Sequence, residues 1–298
     1  MYIRYGSVSV SLARRILSLQ EGDRLDPVGK LADEFKTGRG TIQAALKLLI
    51  DEQAIEIEAL GKRGSFLKKI NRDKLLELGE LNSIIGVMPT VHSLVHHGLS
   101  LGLQKTFDRA SIPLILAQLR GAKNRLHFLR TGRCDFAVIS KLSWEEEVEK
   151  GDLQLVFEFG AGSNVTNHAL LMRQDVHGIE NGMKFGVDPS SYDLYNLSVR
   201  ECEGKEVEFV DISAEEAVTM VKEGIVDVTV ISEAIQRPPL GFKIIPLQNH
   251  TDEQATNTEA VLLVNKGERS IADVILTTID PNQVTSIQKQ IISGEDFF

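Results

Sequence analysis

Two phrases in the longer part of this chain are written twice. Thr131-Gly132-Arg133-Cys134-Asp135-Phe136-Ala137-Val138-Ile139-Ser140 returns in outline as Glu223-Gly224-Ile225-Val226-Asp227-Val228-Thr229-Val230-Ile231-Ser232, and Ile85-Gly86-Val87-Met88-Pro89 returns as Phe185-Gly186-Val187-Asp188-Pro189. Matching openings and closings mean two copies of one supersecondary unit. Each copy holds helical stretches around an inner apolar run, residues 112–119 in the first and 207–212 in the second. That order predicts two βαβαβ units with parallel strands, hence an α/β domain of two lobes. The strands that cross between lobes are expected at Glu158–Gly162 outward and Asn257–Leu263 on return, with Gly160 and Gly162 suited to a hinge rather than to a dinucleotide loop, since the third glycine of that fingerprint is missing. The uncharged run from Asn82 to Gln104 is broken by Pro89 and three histidines, and reads as a buried strand feeding a helix, not as a membrane span.

The first quarter of the chain has a different character. Residues 1–74 carry 14 Lys and Arg against 10 Asp and Glu, while the rest carries 19 against 32. Positive charge confined to one module suits a surface that meets phosphate, and a strongly acidic remainder stays off it. Leu12, Ile16, Leu17 and Leu19 recur at helical spacing until Glu21-Gly22-Asp23. A second helix is expected after Asp26-Pro27, with Asp26 as cap and Val28, Leu31, Ala32 and Phe35 as its apolar stripe. Thr37 and Gly38 make a turn into a third helix from about Arg39 to Glu52, with Ile42, Ala45, Leu46, Leu48 and Leu49 inward. Ile55–Ile57 and Ser65–Leu67 alternate as strands around Gly61-Lys62-Arg63-Gly64, a hairpin with a basic tip.

These residues resemble the winged helix-turn-helix of GntR-type regulators. The resemblance rests on Gly22-Asp23-Arg24-Leu25, Leu31-Ala32-Asp33-Glu34-Phe35, Arg39-Gly40-Thr41-Ile42-Gln43-Ala44-Ala45-Leu46 and Gly61-Lys62-Arg63-Gly64-Ser65-Phe66. Two family arginines are absent, replaced by Gly29 and Gln43. The resemblance implies that the third helix enters the major groove amino end first. Lys36, Thr37, Arg39, Thr41, Gln43 and Lys47 would then face base edges or phosphate, and Lys62 and Arg63 on the wing would face phosphate or the minor groove. The two-lobed part resembles the type II periplasmic-binding-protein fold. Together with Leu119-Arg120-Gly121-Ala122 and Thr258-Glu259-Ala260-Val261, the whole chain is similar to the YhfZ group of GntR-like regulators.

The expected organisation is a winged helix-turn-helix at 1–72, a linker or linking helix at 73–83, and a two-lobed α/β domain at 84–298, its second lobe about 163–256. In sheets of this kind, strand ends and helix starts converge on one crevice. Pro89, Thr90, Pro189, Ser190, Ser191 and Tyr192 are read as helix starts there. Ser140 and Ser232 are read as strand ends, with Arg120, Lys141 and Gly160 beside them, a set that favours a small anion. His92 and His96 have a metal-like spacing, but Ser93 stands where a hydrolase has glutamate and a third ligand is lacking. Cys134 and Cys202 are too few for a disulfide framework and fit a reducing compartment. No catalytic set, metal or cofactor is expected. The reading is a cytoplasmic, homodimeric transcription regulator that binds double-stranded operator DNA and a small anionic effector, without a membrane partner. The rival is a small-molecule-binding protein or enzyme on the same fold with an accessory winged helix.

Overall fold

The computed structural model describes residues 6–232, 240–249, 258–267 and 269–294. The chain forms two compact units, one built from residues up to 85 with 104–115 and 266–280, the other from 86–103, 116–265 and the residues from 281 on.

In the first unit, α1 (Ser7–Leu17), α2 (Val28–Glu34) and α3 (Arg39–Asp51) precede a hairpin of β1 (Ile55–Ala59) and β2 (Ser65–Ile70), antiparallel with Ile57 opposite Leu67. Leu12, Ile16, Ile42, Leu49, Ile55 and Leu67 form its fully buried centre. Two local expectations are corrected. The first helix ends at Leu17, capped by Ser18, before Gly22 is reached. Pro27 rather than Asp26 occupies the cap position of α2, because Asp26 is drawn to Lys30 at 2.7 Å and Arg15 at 3.6 Å. Leu46 and Leu48 are half-buried, so the inward stripe of α3 is narrower than its leucines suggest. Residues 73–83 begin with α4 (Arg72–Leu78), whose Leu75 and Leu78 are buried. Arg14 Nε donates to Gly79 O at 2.7 Å and Arg72 Nη1 to Leu17 O at 3.1 Å, fastening α4 to α1.

Two lobes follow, whose residues fall mostly in the second unit, with the start of β3, the end of α5 and the start of β4 in the first. The first lobe contains β3 (Ile84–Met88), α5 (Leu94–Arg109), β4 (Leu114–Gln118), α6 (Ala122–Arg130), β5 (Phe136–Ser140), α7 (Lys141–Glu145) and β6 (Leu153–Glu158). The second contains β7 (His168–Arg173), β8 (Lys184–Val187), α8 (Tyr192–Glu201), β9 (Glu208–Asp211), α9 (Ala217–Lys222), β10 (Val228–Ser232) and β11 (Phe242–Pro246). The chain returns through β12 (Ala260–Asn265), α10 (Arg269–Thr278) and α11 (Pro281–Ser293).

The sheet orders are β4-β3-β5-β12-β6 and β9-β8-β10-β7-β11. They superimpose position by position, as the repeat requires. In each lobe the parallel trio is completed by one antiparallel strand, β12 with Ala260 opposite Ser140, and β7 with His168 opposite Ser232. Each of these strands arrives through a crossing. Asn164 N donates to Thr258 O and Ala260 N to Ser163 Oγ, both at 2.8 Å, so the two crossings run side by side. The start of the expected return crossing, Asn257, lies outside the described residues.

The final helices explain two glycines. A Cβ on Gly98 or Gly102 of α5 would come within 2.8 Å of backbone at Gln288 or Val284, so α11 packs directly on the α5 backbone. Gln288 Nε2 also donates to Val95 O and Ser163 O at 2.8 Å each. Within the first unit α10 packs on α1, with Arg15 placed among Asp26, Glu34 and Asp273. Among the described residues no helix is long and apolar enough to cross a membrane.

Candidate functional sites

On the first unit, most residues expected to meet DNA are exposed. Arg39, Thr41, Gln43 and Lys47 are exposed along α3, Lys36 is exposed in the turn before it, and Thr37 is half-buried there. Lys36 adopts a left-handed backbone, φ 50°, which reverses the chain between the helices. Lys62 and Arg63 are exposed in the short 3₁₀ turn at the wing tip. Their neighbours Lys68 and Lys69 lie near Glu56, at 3.8 and 4.0 Å, whereas no described ion pair engages the cations of the turn, α3 or wing tip. Gly29 makes room for a cation: a Cβ there would stand 3.4 Å from Nη2 of Arg39, so the Arg39 guanidinium lies over that glycine.

The second site is a cavity of about 430 Å³. Pro89, Thr90, Arg120, Ser140, Ser191 and Ser232 of the expected set line it, whereas Lys141, Gly160, Pro189, Ser190 and Tyr192 do not. The reasons are individual. Lys141 is held by Glu158 at 3.0 Å and Glu259 at 3.3 Å. Gly160 N donates to Glu259 Oε1, 3.0 Å, within the crossing. Pro189 O accepts from Lys123, 2.7 Å, and Ser190 Oγ donates to Asp188 Oδ1, 2.6 Å. Tyr192 OH donates to Glu147 Oε1 at 2.6 Å. Burial and that carboxylate push the phenol up to about 12. Pro89 and Thr90 also do not start a helix, since α5 begins only at Leu94, and His92 therefore lies ahead of the helix.

Arg120 is already engaged across the lobes. Its Nη1 donates to Ser213 Oγ at 2.5 Å and meets Glu215 Oε2 at 3.2 Å, and its Nη2 is 3.7 Å from Asp188. Next to it Gly121, φ 74°, lies so close to the second lobe that a Cβ would stand 2.6 Å from Ser190 Oγ. The expected anion clamp is thus a cross-lobe latch in this structure, its cation met by carboxylates of the same chain.

Deeper in the cavity lie residues that sequence reasoning passed over. Arg125 on α6 is 6% exposed; Nη1 donates to Leu119 O at 2.7 Å and Nε has no partner. Burial lowers its pKa to about 10. Asp193 on α8 is 7% exposed and accepts on Oδ1 from Ser140 Oγ, 2.7 Å, and Ser143 Oγ, 3.2 Å. Burial pushes that carboxyl up to about 6, although both hydroxyls and Arg125 pull it down. Burial likewise takes His96 to about 4; Asn164 and the Thr90 backbone polarise the ring without closing a regular hydrogen bond. A signal for Arg125 was present: with Ala122, Leu126 and Leu129 it sits on the buried stripe of α6, a core-facing position that rarely holds a charge. Asp193 looked like an ordinary first-turn acid. Among the described residues no three His, Cys, Asp or Glu gather as a metal site, and both cysteines are buried and unpaired.

Comparison with known proteins places both units. Residues 20–67 match a helix-turn-helix domain family, and residues 71–297 match the family described as the YhfZ C-terminal domain. The chain belongs to the YhfZ family. Protein YhfZ of Escherichia coli K12 is 31% identical over 294 residues, covering 97% of this chain and 95% of the relative. The crystal structure of YhfZ from Shigella flexneri covers 75% of this chain and 96% of its own, with 28% identity and a TM-score of 0.62. The substrate-binding protein of an amino acid ABC transporter matches at TM-score 0.50 and 12% identity over 72% of this chain and 98% of its own. This chain thus joins a helix-turn-helix to a periplasmic-binding-protein-like α/β fold.

Proposed function

We propose that this chain is a cytoplasmic transcription regulator that docks α3 in the major groove in the GntR manner, as a homodimer, and responds to a small molecule held between the lobes. The observation that carries this reading is the pairing of cationic side chains without described ion-pair partners on a helix-turn-helix with a cavity lined by both lobes. Phosphate attracts the first, and a ligand that touches both lobes favours one closure of the second. The DNA-binding part comprises residues 1–72, the effector-binding part 84–298, and 73–83 join them.

The anionic group expected of the effector has its counter-charge in Arg125 rather than in Arg120, because Arg120 is already balanced by Glu215 and Asp188. A small molecule can alter operator affinity only through its differential affinity for the two closures, typically about 1–3 kcal/mol. A route for that coupling exists in the chain: α10, which packs on α1, runs through Ile279 and Asp280 into α11, which holds Val95 and the crossing residue Ser163.

The test is selection of duplexes from a random pool, then anisotropy titration of a selected duplex and a scrambled one at several salt concentrations, with sedimentation of the protein. Tighter binding of the selected duplex, a steep salt dependence and a dimer on the DNA are expected. Equal, salt-insensitive affinity for both duplexes would overturn the reading.

A further inference from the structure

Arg125 and Asp193 are the two charged side chains of the cavity that the latch does not use. They come from opposite lobes, Arg125 from α6 and Asp193 from α8, and both are more than nine-tenths buried. Each acts on the other's charge, yet no ion pair within 4.0 Å joins them. A guanidinium whose one described hydrogen bond is to Leu119 O, and a carboxylate whose described hydrogen bonds are to two hydroxyls, leave opposite charges lining one cavity. Buried charges are costly unless matched, and the match must reach both.

A pure anion would satisfy Arg125 and repel Asp193. A pure cation would do the reverse. The other ionisable lining is engaged away from these two groups: Arg120 is shared by Glu215 and Asp188, Asp188 also accepts from Ser190 and from Ala214 N, His92 lies 3.9 Å from Glu215, and burial keeps His96 neutral. The cavity, about 430 Å³, falls within the range of about 300–1,000 Å³ common for small-molecule sites.

We propose that the cleft binds a small zwitterion of the amino-acid type, its carboxylate on Arg125 and its ammonium on Asp193. This rests on the sensing role proposed above and specifies its ligand. A fork of N–H donors suits a carboxylate, and an ammonium donates to the carboxylate oxygens that Ser140 and Ser143 leave available. One molecule then bridges α6 of one lobe and α8 of the other, which is what lets occupancy favour closure.

The experiment uses the full chain and three sets of probes: the common α-amino acids; the same compounds N-acetylated or converted to amides; and dicarboxylates with sugar phosphates. Thermal shift and calorimetry read binding, and anisotropy of a selected duplex reads the response. At least one amino acid is expected to raise Tm and change duplex affinity. Its N-acetyl and amide forms should each bind about tenfold or more weakly, as should Asp193→Asn and Arg125→Gln proteins that keep their far-ultraviolet spectrum. Because the acetyl and amide probes need no mutation, a variant that misfolds does not block the test. If dicarboxylates or phosphates act and zwitterions do not, or acetylated probes bind as well as free ones, the zwitterion assignment falls while sensing stands. If no probe of any set moves Tm or duplex affinity, both fall.

Discussion

Arg39 and Arg120 are the same side chain in opposite circumstances. Arg39 is exposed on α3 and enters no described ion pair, its guanidinium lying over Gly29. Arg120 is shared among Ser213, Glu215 and Asp188 of the neighbouring lobe. Both read as anion-seeking in the sequence, but only the first keeps its charge available. A cation is a recognition element where the fold leaves it unmatched and a structural fastener where the fold brings carboxylates to it. Arg125 is a third case, neither solvated nor paired.

The largest effect should come from disturbing that third case. Asp193→Ala removes the acceptor of two buried hydroxyls, Ser140 and Ser143, and a charge that acts on Arg125 across the cavity, and should cost about 3 kcal/mol. Chemical denaturation should show it as a lower midpoint. An unchanged midpoint would mean that neither the two hydroxyls nor Arg125 depends on Asp193.

Acid should act on the same interior and spare the exposed surface. Burial holds His168, as well as His96, at about 4 against 6.5 in the unfolded chain, so the unfolded state binds more protons between those values. Stability therefore falls as pH drops from 6.5 towards 4, by up to about 3 kcal/mol for His168. Asp193, raised to about 6, works in the opposite sense, gaining stability as pH falls through about 6 towards 3.8. His168→Asn should flatten the Tm profile on the acid side; an identical profile would refute the burial argument.

On the exposed side, Arg39→Ala should lower affinity for a selected duplex by about 1–3 kcal/mol while leaving unfolding within about 0.5 kcal/mol of the parent. Lys62→Ala should weaken selected and scrambled duplexes alike and reduce the salt slope by about 1. Loss of stability in Arg39→Ala would erase its contrast with Arg120.

Arg120→Ala should have the smallest thermodynamic effect, about 1 kcal/mol or less, because the latch is 39% exposed and screened by water. Its signature should be geometric, a larger radius of gyration by small-angle scattering. An unchanged radius would reduce the latch to an ordinary surface pair.

The winged helix and both β-α repeats were legible in sequence because local rules write them: helical spacing, turn glycines, and strand phrases that end at the same residue types. The exposed cations of α3 and the wing were legible too, since solvated positions follow from periodicity and a solvated charge depends little on distant residues. The cleft was not. Ser140 and Ser232 were found at strand ends, but Lys141 and Tyr192 were captured by Glu158, Glu259 and Glu147, and Arg120 by Glu215. Those partners lie many residues away or on the other lobe, where no local pattern points. Arg125 and Asp193, brought to one cavity from helices far apart in sequence, have meaning only as neighbours. The local sequence sets which residues form strands, helices and solvated faces. Whether a charge is free, latched or buried opposite another depends on which distant carboxylates, hydroxyls and walls share its space, and tertiary packing alone decides that.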